Sequence, residues 1–297
     1  MLTVPPAFVD ATVRREGDTG RRWIRDLPGL VARCAAQWGC NVTGEAAHGQ
    51  VALVVPVECP GGPAVLKVSF PHPGNRGEAA ALRRFDGRGA VRLLDADEEP
   101  LALLLERAGP RTLAGEPVAE DFIEIAGALA RRLAVTAEPG TPSLADTTDE
   151  WAEQLDEQVA SRRGLLPDSG VRRARATIAE LARDRTATLL HGDLHAGNVL
   201  ASQRERWLAI DPKGWRGTAA YDAFTVVMGR RGDLAASSDL PRVIRARVRR
   251  FADAAGVGND LAAACCQARA TSSLLHQDMA DGNWFDRELL TAVATLN

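Results

Sequence analysis

One polar stretch held between apolar runs constrains this chain more than any other. Residues 191–198 read His-Gly-Asp-Leu-His-Ala-Gly-Asn, and a second acid, Asp211, follows. Leu189-Leu190 leads in, Val199-Leu200 leads out, and Trp207-Leu208-Ala209-Ile210 runs up to Asp211. Short apolar runs around a Gly-containing polar segment read as a loop between short strands. A return strand then delivers the second acid beside that loop. The other reading is a polar turn with a structural aspartate, because a carboxylate five residues from an asparagine is common by itself.

The residue types carry a chemical meaning. An aspartate that accepts a hydroxyl proton, with an asparagine and a second aspartate on one metal ion, is the set that phosphoryl transfer from ATP requires. The spacing Asp193-x-x-x-x-Asn198 matches a kinase catalytic loop, and Asp211 stands where the metal-binding aspartate of that fold falls. The stretch resembles the aminoglycoside phosphotransferase family, small-molecule kinases with a protein-kinase-like fold. That family's His-Gly-Asp-x-His-x-x-Asn motif is kept at His191, Gly192, Asp193, His195 and Asn198. In these terms Asp193 is the base or hydroxyl-orienting group, and Asn198 and Asp211 are the Mg²⁺ ligands. His191 and His195 read as loop scaffolding, since Asp193 already fills the base's role.

Composition narrows the class. The chain has 297 residues, 45% hydrophobic and 25% charged, a globular mixture long enough for two lobes. A net charge of −3 and a pI near 6.0 do not provide the basic face that nucleic acid demands. The five cysteines, Cys34, Cys40, Cys59, Cys265 and Cys266, form no C-x-x-C pair and read as reduced thiols. No apolar run approaches the ~20 residues of a membrane span. The N-terminus, with acids and arginines from Asp10 to Asp26, lacks a signal-peptide core. A cytoplasmic monomer, off the membrane, is expected.

Along the chain, Leu27 to Trp38 reads as a helix capped by Asp26, with Pro28 in its first turn. Residues 51–57 and 63–70 read as a hairpin around Cys59-Pro60-Gly61-Gly62. Lys67 interrupts the second strand. A buried lysine is costly unless paired, and the alternative is an edge-strand lysine facing water. Glu78 opens the helical run Glu-Ala-Ala-Ala-Leu-Arg-Arg-Phe, where an acid also suits the helix dipole. Residues 91–94 and 101–105 read as strands around the acidic turn 95–100. Leu101–Leu105 shows no alternation, so it is expected to be buried on both faces. It runs to Gly109-Pro110, placing a boundary near residue 107. The rest is mostly helical: a stripe from Phe122 to Leu133, then 149–162, 171–184, a stripe from Val243 to Ala252, 260–280 and 286–295. The expected class is α+β, with an N-terminal lobe over 1–107 and a C-terminal lobe over 108–297.

Further runs narrow the resemblance to the aminoglycoside/hydroxyurea antibiotic resistance kinases. They are Ala90–Asp97, Leu103–Arg107, His191–His195 and Ile210-Asp-Pro-Lys-Gly214, the last being the most specific. The resemblance implies a bilobal protein-kinase-like fold with an N-terminal antiparallel sheet and helix. It implies ATP with Mg²⁺, and transfer to a hydroxyl of a guanidinylated cyclitol antibiotic, streptomycin first. It also implies a Lys67–Glu78 ion pair that holds the phosphates, and backbone around Glu106 and Ala108 that reads the adenine edge. Asp222, in Tyr-Asp-Ala-Phe, would brace the catalytic loop. Two departures stand out. The expected phosphate-covering segment, 44–53, has only Gly44 and Gly49, and Asp211 is followed by Pro212-Lys213-Gly214 where a protein kinase has Phe-Gly. No long activation segment follows, which favours a small acceptor over a protein.

A cationic acceptor calls for carboxylates and flat rings. The acidic runs at 149–157 and 276–288 supply Glu153, Asp278 and Asp281, with Trp284 as the ring. Their alternative is solvated helix faces. Two other functions stay open: a kinase of another small molecule (hydroxyurea, a peptide antibiotic, choline or a sugar), or a nucleotide-binding module without turnover. Against the last, Lys67, Asp193, Asn198 and Asp211 are all present.

Overall fold

The computed structural model describes residues 2–115, 119–162, 164–276 and 284–296. The chain forms two compact units, one ending at Gly109 and the other beginning at Pro110.

The first unit opens with α1 (Pro6–Gln37), started by proline at its first turn and broken at Gly17, which takes φ 61 and ψ −134. The expected Leu27–Trp38 helix is therefore only the end of a much longer element. Asp26 lies inside it and caps nothing, and Pro28 sits in its interior. Proline there forfeits a backbone hydrogen bond. The helix persists because Phe8, Leu27, Val31 and Cys34 bury one face on the sheet, against Leu53, Val55, Leu66 and Val68.

That sheet has six strands: β1 (Asn41–Val42), β2 (Ala47–His48), β3 (Ala52–Cys59), β4 (Gly62–Ser69), β5 (Leu93–Asp97) and β6 (Ala102–Glu106). Its order is β1-β3-β4-β6-β5, with β2 also on β3, and every pairing is antiparallel. The expected hairpin forms, Cys59 facing Gly62, with Gly62 at φ 105. β5 starts at Leu93 and extends to Asp97, so the first half of the acidic segment is strand and only 98–100 is turn, with a register shift between Leu93 and Asp95. Helix α2 (Glu78–Phe85) buries Glu78, Ala81, Leu82 and Phe85.

The thiol expectation is corrected here. Cys40 and Cys59 are joined by a disulfide, while Cys34, Cys265 and Cys266 are free and buried. The pairing β1–β3 sets Asn41 opposite Glu58, which carries Cys40 to Cys59 with Cα atoms 4.2 Å apart. A separation of 19 residues hides this neighbourhood from any local spacing rule.

The second unit is a helical assembly carrying two small strand pairs. Its helices are α3 (Ala119–Leu133), α4 (Thr148–Ser161), α5 (Asp168–Leu181), α6 (Ala223–Val227), α7 (Arg231–Ala235), α8 (Leu240–Ala255), α9 (Asn259–His276) and α10 (Trp284–Ala294). β7 (Leu189–Leu190) and β8 (Val199–Ala201) flank the polar loop read from sequence. β9 (Trp207–Ala209) pairs with β8, and β10 (Trp215–Arg216) pairs with β7. Helix α9 packs on α4, α5, α6, α8 and α10. The small buried residues Ala262, Cys265, Cys266, Ala268 and Ala270 let neighbours approach it from several sides. Among the described residues no helix is long and apolar enough to cross a membrane.

Candidate active site

In the first unit the site residues stand on the sheet and α2. Strand β4 lies between β3 and β6, so Lys67 is central and not at an edge. Alternation sends Ala64, Leu66 and Val68 to the α1 face and Lys67 to the other. Lys67 is 7% exposed, and its ammonium donates to both carboxylate oxygens of Glu78, at 2.7 and 2.6 Å. Glu78 is itself 4% exposed. Two opposite charges taken out of water together are tolerated because each satisfies the other. At the far end of β6, the Glu106 N–H donates to the Arg92 carbonyl at 2.9 Å, and Glu106 Oε2 accepts from the Arg92 N–H at 2.9 Å. The ladder to β4 ends at Glu106, and Ala108 lies beyond it in irregular chain.

In the second unit the polar loop is tied from several directions. His191 is buried; its Nε2 donates to the Ile210 carbonyl at 2.9 Å, and its Nδ1 accepts from the Asp193 N–H at 3.3 Å. Burial pushes its pKa down to about 4, against the pull of Asp193 and Asp211, so the ring stays neutral. With both nitrogens engaged, His191 is a scaffold. His195 caps the turn at 196–198, its Nδ1 accepting from the Gly197 N–H. Asn198 Nδ2 donates to the Asp193 carbonyl at 3.0 Å, and the Ile210 N–H donates to the Asn198 carbonyl at 2.9 Å. These bonds set Asp193, Asn198 and Asp211 around one short stretch of backbone. Asp211 holds φ 62, a region that non-glycine residues seldom occupy and that clusters at functional sites.

The brace under this loop is Asp222, fully buried. Its Oδ2 accepts from the His191 N–H at 3.1 Å and its Oδ1 from the Gly192 N–H at 2.8 Å. Gly192 takes φ 85, and a Cβ there would sit 2.9 Å from the Lys213 Cβ, so only glycine fits. That crowding reflects how close Lys213 runs. Its N–H donates to the His191 carbonyl, and its ammonium lies 3.8 Å from Asp193 Oδ2. No role for this lysine side chain is legible in spacing, although the Asp-Pro-Lys-Gly run contains it.

Beside the loop, still within the second unit, is a cavity of about 520 Å³. Its walls include Glu150, Trp151, Trp215, Tyr221, Arg269 and His276. Trp215 Cε3 lies 3.5 Å from where a Cβ on Gly192 would stand, so the cavity abuts the loop. Glu153, selected from sequence, is exposed on α4 and is not part of this lining. Helical period explains the difference: Glu150, Trp151, Gln154 and Gln158 share one face of α4, and Glu153 turns away from it. Asp278 and Asp281 lie outside the described residues. Trp284 begins α10, and its side chain is likewise outside them.

Comparison with known proteins places this geometry. The family model for aminoglycoside/hydroxyurea antibiotic resistance kinases matches residues 37–279. The chain is 36% identical over 296 residues to a streptomycin 6-kinase of Streptomyces griseus, covering 99% of this chain and 94% of that one. It is 40% identical over 252 residues to a hydroxyurea phosphotransferase of Kitasatospora aureofaciens, covering 81% and 73% respectively. Among solved structures it is similar to aminoglycoside phosphotransferase APH(4)-Ia, with a TM-score of 0.58, 18% identity and coverage of 90% and 96%. A choline kinase from Streptococcus pneumoniae gives 0.57, 14% identity and coverage of 90% and 99%. The α+β protein-kinase-like fold expected from sequence is thus the fold observed. With most of its length matched by the family model and near-complete alignment to such relatives, the chain belongs to the aminoglycoside/hydroxyurea antibiotic resistance kinases, phosphotransferases that act on a hydroxyl acceptor.

Proposed function

We propose that this protein is an ATP-dependent O-phosphotransferase that moves the γ-phosphate to the 6-hydroxyl of streptomycin. The observation that carries the reading is the braced loop. Asp193, Asn198 and Asp211 are gathered by backbone and side-chain hydrogen bonds within a chain 36% identical to a streptomycin 6-kinase. Asp193 accepts or orients the acceptor hydroxyl proton, and the Lys213 ammonium lies 3.8 Å from that carboxylate. Lys67, locked by Glu78, takes the α- and β-phosphates, and the backbone from Glu106 to Ala108 takes the adenine edge. Most of the rate gain in such a site comes from positioning and electrostatics.

The donor set suits Mg²⁺. Asn198 Nδ2 is engaged by the Asp193 carbonyl, which leaves Oδ1 as the atom it can offer a cation. Asp211 adds a carboxylate, and Mg²⁺ is held by one or two such oxygens plus phosphates and water. Among the described residues no cluster of three His, Cys, Asp or Glu side chains forms a metal site. Asn198 and Asp211 would hold such an ion, which would supply charge neutralisation for phosphoryl transfer. Asp211→Asn is expected to weaken Mg²⁺-dependent nucleotide binding and eliminate turnover. Titrating Mg²⁺ against nucleotide affinity checks this, and an unchanged Mg²⁺ dependence would count against the role.

The cavity beside the loop suits a cationic acceptor: Trp151 and Trp215 offer flat faces and Glu150 a carboxylate. Glu150→Gln is expected to raise the streptomycin KM by ~10-fold, the low end for a charge-assisted hydrogen bond. Glu153→Gln should leave KM within about twofold of wild type. Equal KM values for wild type and Glu150→Gln would remove Glu150 from the acceptor site.

The function itself is tested with purified protein, Mg²⁺–ATP and streptomycin, following acceptor-dependent ADP release and locating the phosphate by ³¹P and ¹H NMR. Absence of release with streptomycin would overturn the reading. Hydroxyurea belongs in the same assay, because the 40% identity to a hydroxyurea phosphotransferase supports that acceptor as the second reading.

A further inference from the structure

The brace beneath the loop raises a physical problem. A carboxylate at zero exposure is expensive to keep ionised, and burial pushes Asp222 up to about 6. Its two hydrogen bonds both come from backbone N–H donors, those of His191 and Gly192, so both of its oxygens must accept. A proton on either oxygen turns one acceptor into a donor facing an N–H, and one of the two ties to the loop is lost. Whatever keeps Asp222 charged therefore keeps the loop in place.

We propose that Arg269 is a positioning residue for the catalytic loop: from α9 it supplies the counter-charge that holds Asp222 ionised, so that Asp222 grips His191 and Gly192. The geometry is specific. The Arg269 guanidinium carbon lies 4.3 Å from the Tyr221 ring centre and 4.9 Å from that of Phe224, so two rings within two residues of Asp222 carry it. Its Nη1 donates to the Tyr221 carbonyl at 3.2 Å. The turn at 219–222 is packed by α3, α6, α8, α9 and β7. The titratable groups set against Asp222 are Arg269 and Cys265 of α9, Tyr221 beside it, and His191 and Asp193 of the loop after β7. His191 is neutral, burial lifts the thiol of Cys265 to about 12 and raises the Tyr221 phenol, and Asp193 repels. Arg269 is the cation of the set. It also lines the cavity beside the loop, and the brace does not depend on what that cavity binds.

The test compares Arg269→Gln, which removes the charge but can still donate to Tyr221, with Arg269→Lys, which keeps the charge and loses the planar stack. The first readout needs no turnover: the ¹³Cγ titration of Asp222 by NMR, assigned with Asp222→Asn. The expected result is a midpoint raised by ~1 unit or more in Arg269→Gln, the low end for loss of an opposite charge, and within about half a unit of wild type in Arg269→Lys. The second readout is kcat against pH with saturating substrates. The acid limb should move upward in Arg269→Gln with near-recovery at pH about 8.5, because Asp222 is again ionised there. A stacking role alone predicts that Lys behaves like Gln and that any loss of kcat is the same at all pH values. An unmoved Asp222 midpoint in Arg269→Gln, or a Lys variant shifted as far as Gln, overturns the proposal. Should Arg269→Gln fail to fold, the Lys variant decides alone. A wild type without acceptor-dependent turnover would defeat the functional reading and leave the NMR result standing on its own.

Discussion

Asp193→Ala is expected to lower kcat by ~10²–10⁴-fold while nucleotide affinity and folding stay near wild type. The side chain sits at the head of the loop, part-exposed, and its ion-pair contact is the long one to Lys213 at 3.8 Å. The anchors of the loop are elsewhere: the Asp193 backbone N–H and carbonyl bind His191 and Asn198, and an alanine keeps both. Removing the carboxylate therefore takes away the proposed proton acceptor and leaves the scaffold. The measurement is steady-state kinetics with streptomycin beside ADP binding by calorimetry. A variant that retained more than about a tenth of wild-type kcat would remove Asp193 from the chemistry.

Glu78→Ala is the substitution with the largest expected effect on stability. It strips a carboxylate that accepts two hydrogen bonds from a 7%-exposed lysine in the middle of a sheet. Breaking a buried pair from one side costs ~3–5 kcal/mol, far more than the pair contributes over an apolar replacement of equal volume. The double substitution Lys67→Met with Glu78→Leu should therefore recover most of the loss, since it leaves no buried charge. It is not expected to recover ATP turnover, in which the ammonium is proposed to hold the phosphates. Denaturant midpoints of the two single variants and the double variant make the cycle. If Glu78→Ala unfolds within about 1 kcal/mol of wild type, the pair is not the anchor of this face of the sheet.

The features legible in the sequence share one property: they are encoded over a few residues. The β3–β4 hairpin announces itself through two apolar runs and a Pro-Gly turn. The loop from His191 to Asn198 does so through its flanking strands, and the stripe from Phe122 to Leu133 through helical period. Lys67 and Glu78 were each conspicuous locally, one as a charge in an apolar strand and the other as an acid opening a helix. What brings them together is the tertiary packing of α2 on the sheet, where it contacts β5, and that packing turns two oddities into one ion pair.

The remainder was decided by contacts between distant segments. Helix α1 passes through Pro28 because the face it buries on the sheet outweighs one missing hydrogen bond, and the sheet lies beyond Gly39. Cys40 meets Cys59 because β1 pairs with β3. Glu150 and not Glu153 reaches the cavity because α4 presents one particular face to α9, and acidic composition alone does not say which. Arg269 comes to Tyr221 across 48 residues, with no spacing rule to announce it. Local sequence determines what each segment is, since backbone preference and periodicity act within a few turns. Which polar groups share a buried space depends on the packing of whole elements, because the cost of an unsatisfied charge is set by what surrounds it.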